Sequence, residues 1–151
     1  MRPFAIAGFS LPLRDIAKEA GSDKFFCPGS ILRVELDPSH PLSYGMSAHT
    51  AGFFASSSAY EILAPRSSSD GHGGDSVRRA PDTVQTVARY ADKDLLLSGW
   101  LEGEQLIASR PAVVQVGVGT GRVVLLGFPA QHRAQSHATF RLLFNAILTS
   151  Q

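Results

Sequence analysis

Few residues in this chain have side chains suited to chemistry. There are five histidines (His40, His49, His72, His132 and His137) and one cysteine, Cys27. None of the zinc spacings H-E-x-x-H, H-x-x-H or paired Cys/His occurs. His72-Gly73-Gly74-Asp75 has the spacing of an H-x-x-D pair, but it lies in a Ser/Gly stretch with nothing to hold ligands rigid. Cys27 stands in F-F-C-P-G-S with no base beside it. A nucleophilic thiol needs a partner or a helix N-terminus to lower its pKa, so Cys27 reads as a small buried thiol. No G-x-S-x-G elbow is present. Gly117-Val118-Gly119-Thr120-Gly121 is no phosphate loop, because a strand follows it where a helix N-terminus would have to face the phosphate.

One polar constellation remains, Gln131-His132-Arg133-Ala134-Gln135-Ser136-His137. It falls between a strand and a helix, where ligands of α/β sheets gather. Gln131, His132, Arg133, Gln135 and His137 are therefore the candidate ligand-binding residues, with no catalytic and no metal-binding residue assigned. An arginine beside a helix start suits an anion. The competing reading is that Arg133 and the glutamines only satisfy backbone groups around that start.

The elements that must position this loop are legible on either side. Residues 112–116 and 122–128 read as strands joined by the Gly-rich hairpin. A connection this short makes antiparallel neighbours. The second strand is apolar on both faces, which predicts burial on both sides. Ser136 is placed to cap a helix over 138–148, whose Phe140, Leu143, Phe144, Ile147 and Leu148 form the kind of apolar stripe that faces a core.

Upstream, 31–36 alternates as a strand with Leu32, Val34 and Leu36 on one face, and 51–56, 59–63 and 83–90 are further strand candidates. Residues 95–97 and 102–106 read as short helical turns. Residues 15–20 read as a helix stopped by Gly21. Trp100 reads as a core or interface anchor. Apolar residues 4–13 behind Arg2 resemble a leader, but Gly8, Ser10, Pro12, Arg14 and Asp15 interrupt the pattern, so the segment is expected to pack in the domain. The stretch 64–81, APRSSSDGHGGDSVRRAP, offers almost nothing to bury and is expected to be a flexible loop. Mixed strands and helices around a buried hairpin predict a three-layer α/β domain with an antiparallel edge.

Composition sets the outer limits. With 151 residues the chain is expected to be one domain over 1–151. A single cysteine excludes an internal disulfide framework. Net charge is +1 with no long basic block, so the electrostatic footprint of a nucleic-acid binder is missing. No run approaches the ~20 apolar residues of a membrane-spanning helix.

Three segments carry a family resemblance. Residues 25–46 (FFCPGSILRVELDPSHPLSYGM), 92–104 (DKDLLLSGWLEGE) and 121–146 (GRVVLLGFPAQHRAQSHATFRLLFNA) resemble the C-terminal region of bacterial zinc carboxypeptidase-like proteins of the carboxypeptidase A type. There a peptidase domain is followed by a class I glutamine amidotransferase-like domain with a flavodoxin-like sheet. The resemblance implies a partial three-layer flavodoxin-like, amidotransferase-like sheet, with the antiparallel C-terminal hairpin and helix at its end.

The chain departs from that family in three ways. It lacks the H-x-x-E zinc pattern, so zinc is expected only in a peptidase domain outside this chain and no cofactor within it. It lacks the nucleophile elbow with a cysteine between glycines, which Cys27 does not match. It lacks the first βα units, so it reads as a C-terminal part. The expected function is a non-catalytic accessory domain of a zinc carboxypeptidase-like peptidase, contributing domain packing or ligand binding. Two alternatives stand beside it: an anion-binding module using Arg133, His132 and the glutamines, and a degenerate amidotransferase-like hydrolase using Cys27. Expected partners are the peptidase domain, the missing N-terminal half of the same domain, or a second copy through an exposed sheet edge, and neither nucleic acid nor membrane. Relatives of this type are exported, and any leader would lie on the missing part.

Overall fold

The computed structural model describes residues 4–63 and 83–149. The expected flexible loop at 64–81 lies outside the described residues. In chain order the elements are α1 (Phe4–Gly8), β1 (Leu13–Asp15), α2 (Ile16–Glu19), β2 (Pro28–Leu36), β3 (His49–Ala55), β4 (Tyr60–Ile62), β5 (Val84–Tyr90), β6 (Leu96–Ser98), β7 (Pro111–Val118), β8 (Gly121–Leu126) and α3 (Phe140–Leu148). Single 3₁₀ turns stand at Pro41–Ser43, Glu104–Leu106 and His137–Thr139.

β2 organises the sheet because its sequence alternates cleanly. Leu32, Val34 and Leu36 are buried, while Glu35 between them is exposed. A one-residue slip would turn all three to water, at roughly 1.5–3 kcal/mol per side chain, so the register is strongly specified. On one side β2 pairs with β3, placing Ile31 opposite Phe53 and Leu32 opposite Gly52. Its other side is shared. β5 pairs with residues 34–36 and β6 with residues 31–32.

The junction lies at Arg33, whose N–H donates to Leu95 O at 2.8 Å and whose carbonyl accepts from Ala91 N at 3.1 Å. Asp92–Asp94 loops out between these two bonds, and Arg33 Nε fastens it by donating to Asp94 O at 3.1 Å. Residues 96–98 are thus a strand, where a helical turn over 95–97 was expected. Leu95 is fully buried and fixes the backbone beside the open half of β2, so tertiary pairing overrides the local preference of three leucines. The 3₁₀ turn Glu104–Leu106 agrees with the expected helical turn there.

The main sheet has six strands in the order β3-β2-β5-β7-β8, with β6 on β2, and β1 pairs with β4 in a second, two-stranded sheet. The architecture is mixed α/β, and the C-terminal hairpin followed by a helix is where the sequence placed it. A flavodoxin-like sheet is built on parallel strands. Every ladder among the described residues is antiparallel.

The burial of the hairpin differs from expectation. β7 is the strand buried on both faces. Val113 joins the larger core with Leu32, Val34, Val87 and Phe128, while Val114 and Val116 pack with Ile6, Leu11, Leu13 and Tyr60. β8, expected to be the doubly buried one, ends the strand order and is only half covered. The segment 4–16 is a packed element, as its broken apolar run suggested. Asp15 caps α2 by accepting from Lys18 N at 3.3 Å, and Gly21 follows with φ 77°.

The C-terminal helix is turned the other way round from its sequence pattern. Leu142 is fully buried, and Asn145 Nδ2 donates to Leu42 O at 2.9 Å and to Tyr44 O at 3.0 Å. These bonds seat the helix on residues 42–44 through a face of Leu142, Asn145 and Ala146. The stripe of Leu143, Phe144 and Leu148 faces outward, with Phe144 56% and Leu148 70% exposed. Trp100, at 61% exposed, is not a core residue. No helix among the described residues is long and apolar enough to cross a membrane.

Candidate functional site

The loop from β8 to α3 wraps around one edge of the sheet. β3 is the end strand there. Gly52 and Phe53 point to opposite faces because strand side chains alternate. The Phe128 ring lies on the Gly52 side, with its Cγ 3.5 Å from where a Cβ on Gly52 would stand. His132 lies on the Phe53 side, its ring centroid 4.2 Å from that of Phe53 at an interplanar angle of 34°. Residues 129–131 therefore pass around the β3 edge between an inner arm, Phe128, and an outer arm, His132.

Hydrogen bonds hold the outer arm. Ser136 Oγ accepts from His132 N at 3.0 Å and donates to Ala130 O at 3.2 Å. Thr139, fully buried, donates through Oγ1 to the same Ala130 O at 2.6 Å. Gln135 N donates to His132 O at 2.9 Å across a turn in which Arg133 and Ala134 have φ of 48° and 54°. Successive positive φ values are what a type I′ turn requires, usually from Asn-Gly. Each non-glycine residue there costs on the order of 1 kcal/mol. Ser136 precedes the final helical segment as expected, but its hydroxyl is spent on the loop and makes no capping bond to the turn His137–Thr139.

The result is a cavity of about 590 Å³ floored by Ile31, Ala51 and Phe53 and walled by His132, Gln135 and His137. His137 Nε2 stands 2.6 Å from Ala134 O. A carbonyl only accepts, so that nitrogen carries the hydrogen. Of the five sequence candidates, His132, Gln135 and His137 come together here. Gln131 and Arg133 are exposed and line no part of the cavity. The floor was missed by reading the loop alone. Its signal was present in β3, where Ala51 and Phe53 share the face opposite the core.

A smaller cleft of about 220 Å³ shares His137 and Ala138 with this cavity and adds His49 and Arg141. No aspartate or glutamate lines either space.

Cys27 lies elsewhere, in a cleft of about 410 Å³ with Lys18, Phe25 and Phe54. Burial pushes its thiol pKa up, against a smaller lowering by a hydrogen bond with Ser30. That is the opposite of what activates a nucleophilic thiol. Among the described residues no three His, Cys, Asp or Glu side chains are grouped to hold a metal ion.

Comparison with protein-family models, with curated proteins and with solved structures finds no match to this chain.

Proposed function

We propose that this chain is a non-catalytic accessory domain of a zinc carboxypeptidase-like protein, and that its task is to dock. Its surfaces would pack on the peptidase domain or on the N-terminal part of its own amidotransferase-like domain. In this reading the antiparallel sheet is the C-terminal portion of a larger flavodoxin-like sheet, and the parallel βα units come from that other part. Zinc belongs to the peptidase domain, and no residue of this chain is assigned to it.

One observation carries the reading: α3 buries Leu142, ties half-buried Asn145 to Leu42 O, and turns Phe144 and Leu148 to the outside. A contiguous exposed apolar face marks an interaction surface. The β8 edge adds unpaired ladder groups beside half-covered valines and leucines, which suits strand pairing with another chain.

Sedimentation velocity on the isolated chain tests this. Concentration-dependent association is expected, because the docking surface then finds only other copies. The double variant Phe144→Ser/Leu148→Ser should sediment as a monomer. Its unfolding free energy should change by no more than about 0.5 kcal/mol, as for surface substitutions away from packing features. A monodisperse wild-type monomer that binds no apolar dye would overturn the docking role. Hydrolysis of a peptide or amide by the purified chain, lost on one substitution, would overturn the non-catalytic one.

A further inference from the structure

We propose that the cavity between β3 and the 132–138 loop binds a flat, apolar-bodied monocarboxylate. Its ring system would lie against the His132 imidazole that stacks on Phe53, and its carboxylate would point past His137 toward Arg141. This goes beyond the docking role and does not depend on it.

The shape sets the body of the ligand. A volume of about 590 Å³ is within the range of small-molecule sites, which are mostly apolar with a few placed polar groups. The floor of Ile31, Ala51 and Phe53 has no polar side-chain atom. The imidazole of His132 stacks on the Phe53 ring with centroids 4.2 Å apart and so covers one face of it, and a planar group would stack on the imidazole face turned away from Phe53, at a centroid separation of about 4.5–7 Å.

The polar inventory sets the head group. The Ser136 hydroxyl is already spent in both directions, on His132 N and Ala130 O. The groups left for a ligand are the Gln135 amide and the His132 imidazole, because the His137 Nε2 hydrogen is already given to Ala134 O. Beyond His137 the adjoining cleft brings the Arg141 guanidinium, which stays charged at any ordinary pH. Among the described residues Arg141 has no carboxylate partner, and no acidic side chain lines either space. A fixed positive charge in the cleft that adjoins the apolar cavity favours an anion over its neutral analogue.

The loop is also pre-built. Its turn at Arg133 and Ala134 is tied down by bonds within the protein, through Ser136 and Thr139, which limits the ordering cost of binding.

The test is an NMR titration of the full chain with 2-naphthoate, with 2-naphthamide and cyclohexanecarboxylate as comparators. Saturable shifts at Ala51, Phe53, His132 and His137 are expected with 2-naphthoate. Binding should be at least tenfold weaker for each comparator. His132→Ala should weaken 2-naphthoate at least tenfold, and Arg141→Gln should erase the preference for acid over amide. Phe53→Leu keeps the volume buried but removes the ring, so it should lose the preference for the aromatic acid over the cyclohexane acid while the chain stays folded. No saturable shift at millimolar 2-naphthoate, or shifts confined to Phe144 and Leu148 on the outer helix face, would overturn the proposal. So would equal binding of acid and amide.

Discussion

The two edges of the main sheet are finished in opposite ways. At β3 the chain folds back on itself, setting Phe128 against the inner face at Gly52 and the His132 ring against Phe53 on the outer face. At β8 nothing among the described residues pairs with the outer side of the strand, although its Val123, Val124, Leu125 and Leu126 are all apolar. Edge strands invite pairing with other chains unless they are covered, shortened or charged. One edge is thus closed by covalent continuity and, in closing, encloses a cavity. The other is left open. The two proposals divide along this line, the small molecule at the closed edge and the partner at the open one.

The largest way to break this comparison is to remove the inner arm. Phe128 is buried, and Phe→Ala at such a site costs about 3–5 kcal/mol. Phe128→Ala should lower stability by that amount in denaturant titration. In the variants that remain folded, β3 amides should exchange with deuterium about as fast as those of β8, whereas in the wild type β3 is expected to be the slower of the two. Equal protection of the two edges in the wild type would remove the distinction.

A change of pH separates the edges from the interior between them. Burial raises the Tyr60 hydroxyl to about 12, with the charge of Asp15 adding to the effect, and burial also raises Tyr90 well above its ordinary value while its hydroxyl donates to Ser58 O at 2.8 Å. Each folded pKa lies above the unfolded value near 10, so the folded state holds these protons longer. The stability that Tyr60 confers in this way is complete below about pH 10 and is lost as pH rises from about 10 to 12. For Tyr60 a two-unit rise corresponds to about 3 kcal/mol. Stability measured across that window should fall steeply, and Tyr60→Phe should flatten the fall. The β3 and β8 edges carry no tyrosine, so their relative amide protection should stay unchanged up to pH 10.

The outer arm should give the smallest effect. A stacked aromatic pair contributes about 0.5–1.5 kcal/mol beyond its buried area. His132→Ala should therefore cost about 1 kcal/mol, with faster exchange confined to β3. Ala134→Gly, which relieves a left-handed alanine, should raise stability by a few tenths to 1 kcal/mol. A His132→Ala variant that frays β8 as much as β3 would show that the loop does not act as a clip.

Where one local period dominated, sequence reading and structure agree. The alternation Leu32, Val34, Leu36 became β2, the Gly-rich 117–121 stretch became a hairpin, and the residues from Asp15 to Gly21 became a capped helical turn. Where the outcome depended on a neighbour, they diverge. The leucines at 95–97 looked helical, yet Leu96 and Leu97 became the start of β6 because β2 had a free half-edge. The site was half legible. The loop residues His132, Gln135 and His137 were found by type, while their floor on β2 and β3 was not, because Ile31 and Phe53 lie far from the loop in sequence.

By itself the sequence determined which residues are apolar and at what spacing, and hence which segments extend, turn or coil, since these follow from backbone sterics and side-chain period over a few residues. Only the tertiary structure decided which way each apolar face points. Val114 and Val124 are the same residue type on neighbouring strands, yet one is enclosed and the other half bare. The stripe of α3 is as apolar as a core face and looks outward, because Asn145 and Leu142 find their partners at Leu42 and Tyr44 on the opposite side. Burial is a property of what stands opposite, and no residue encodes its own neighbour.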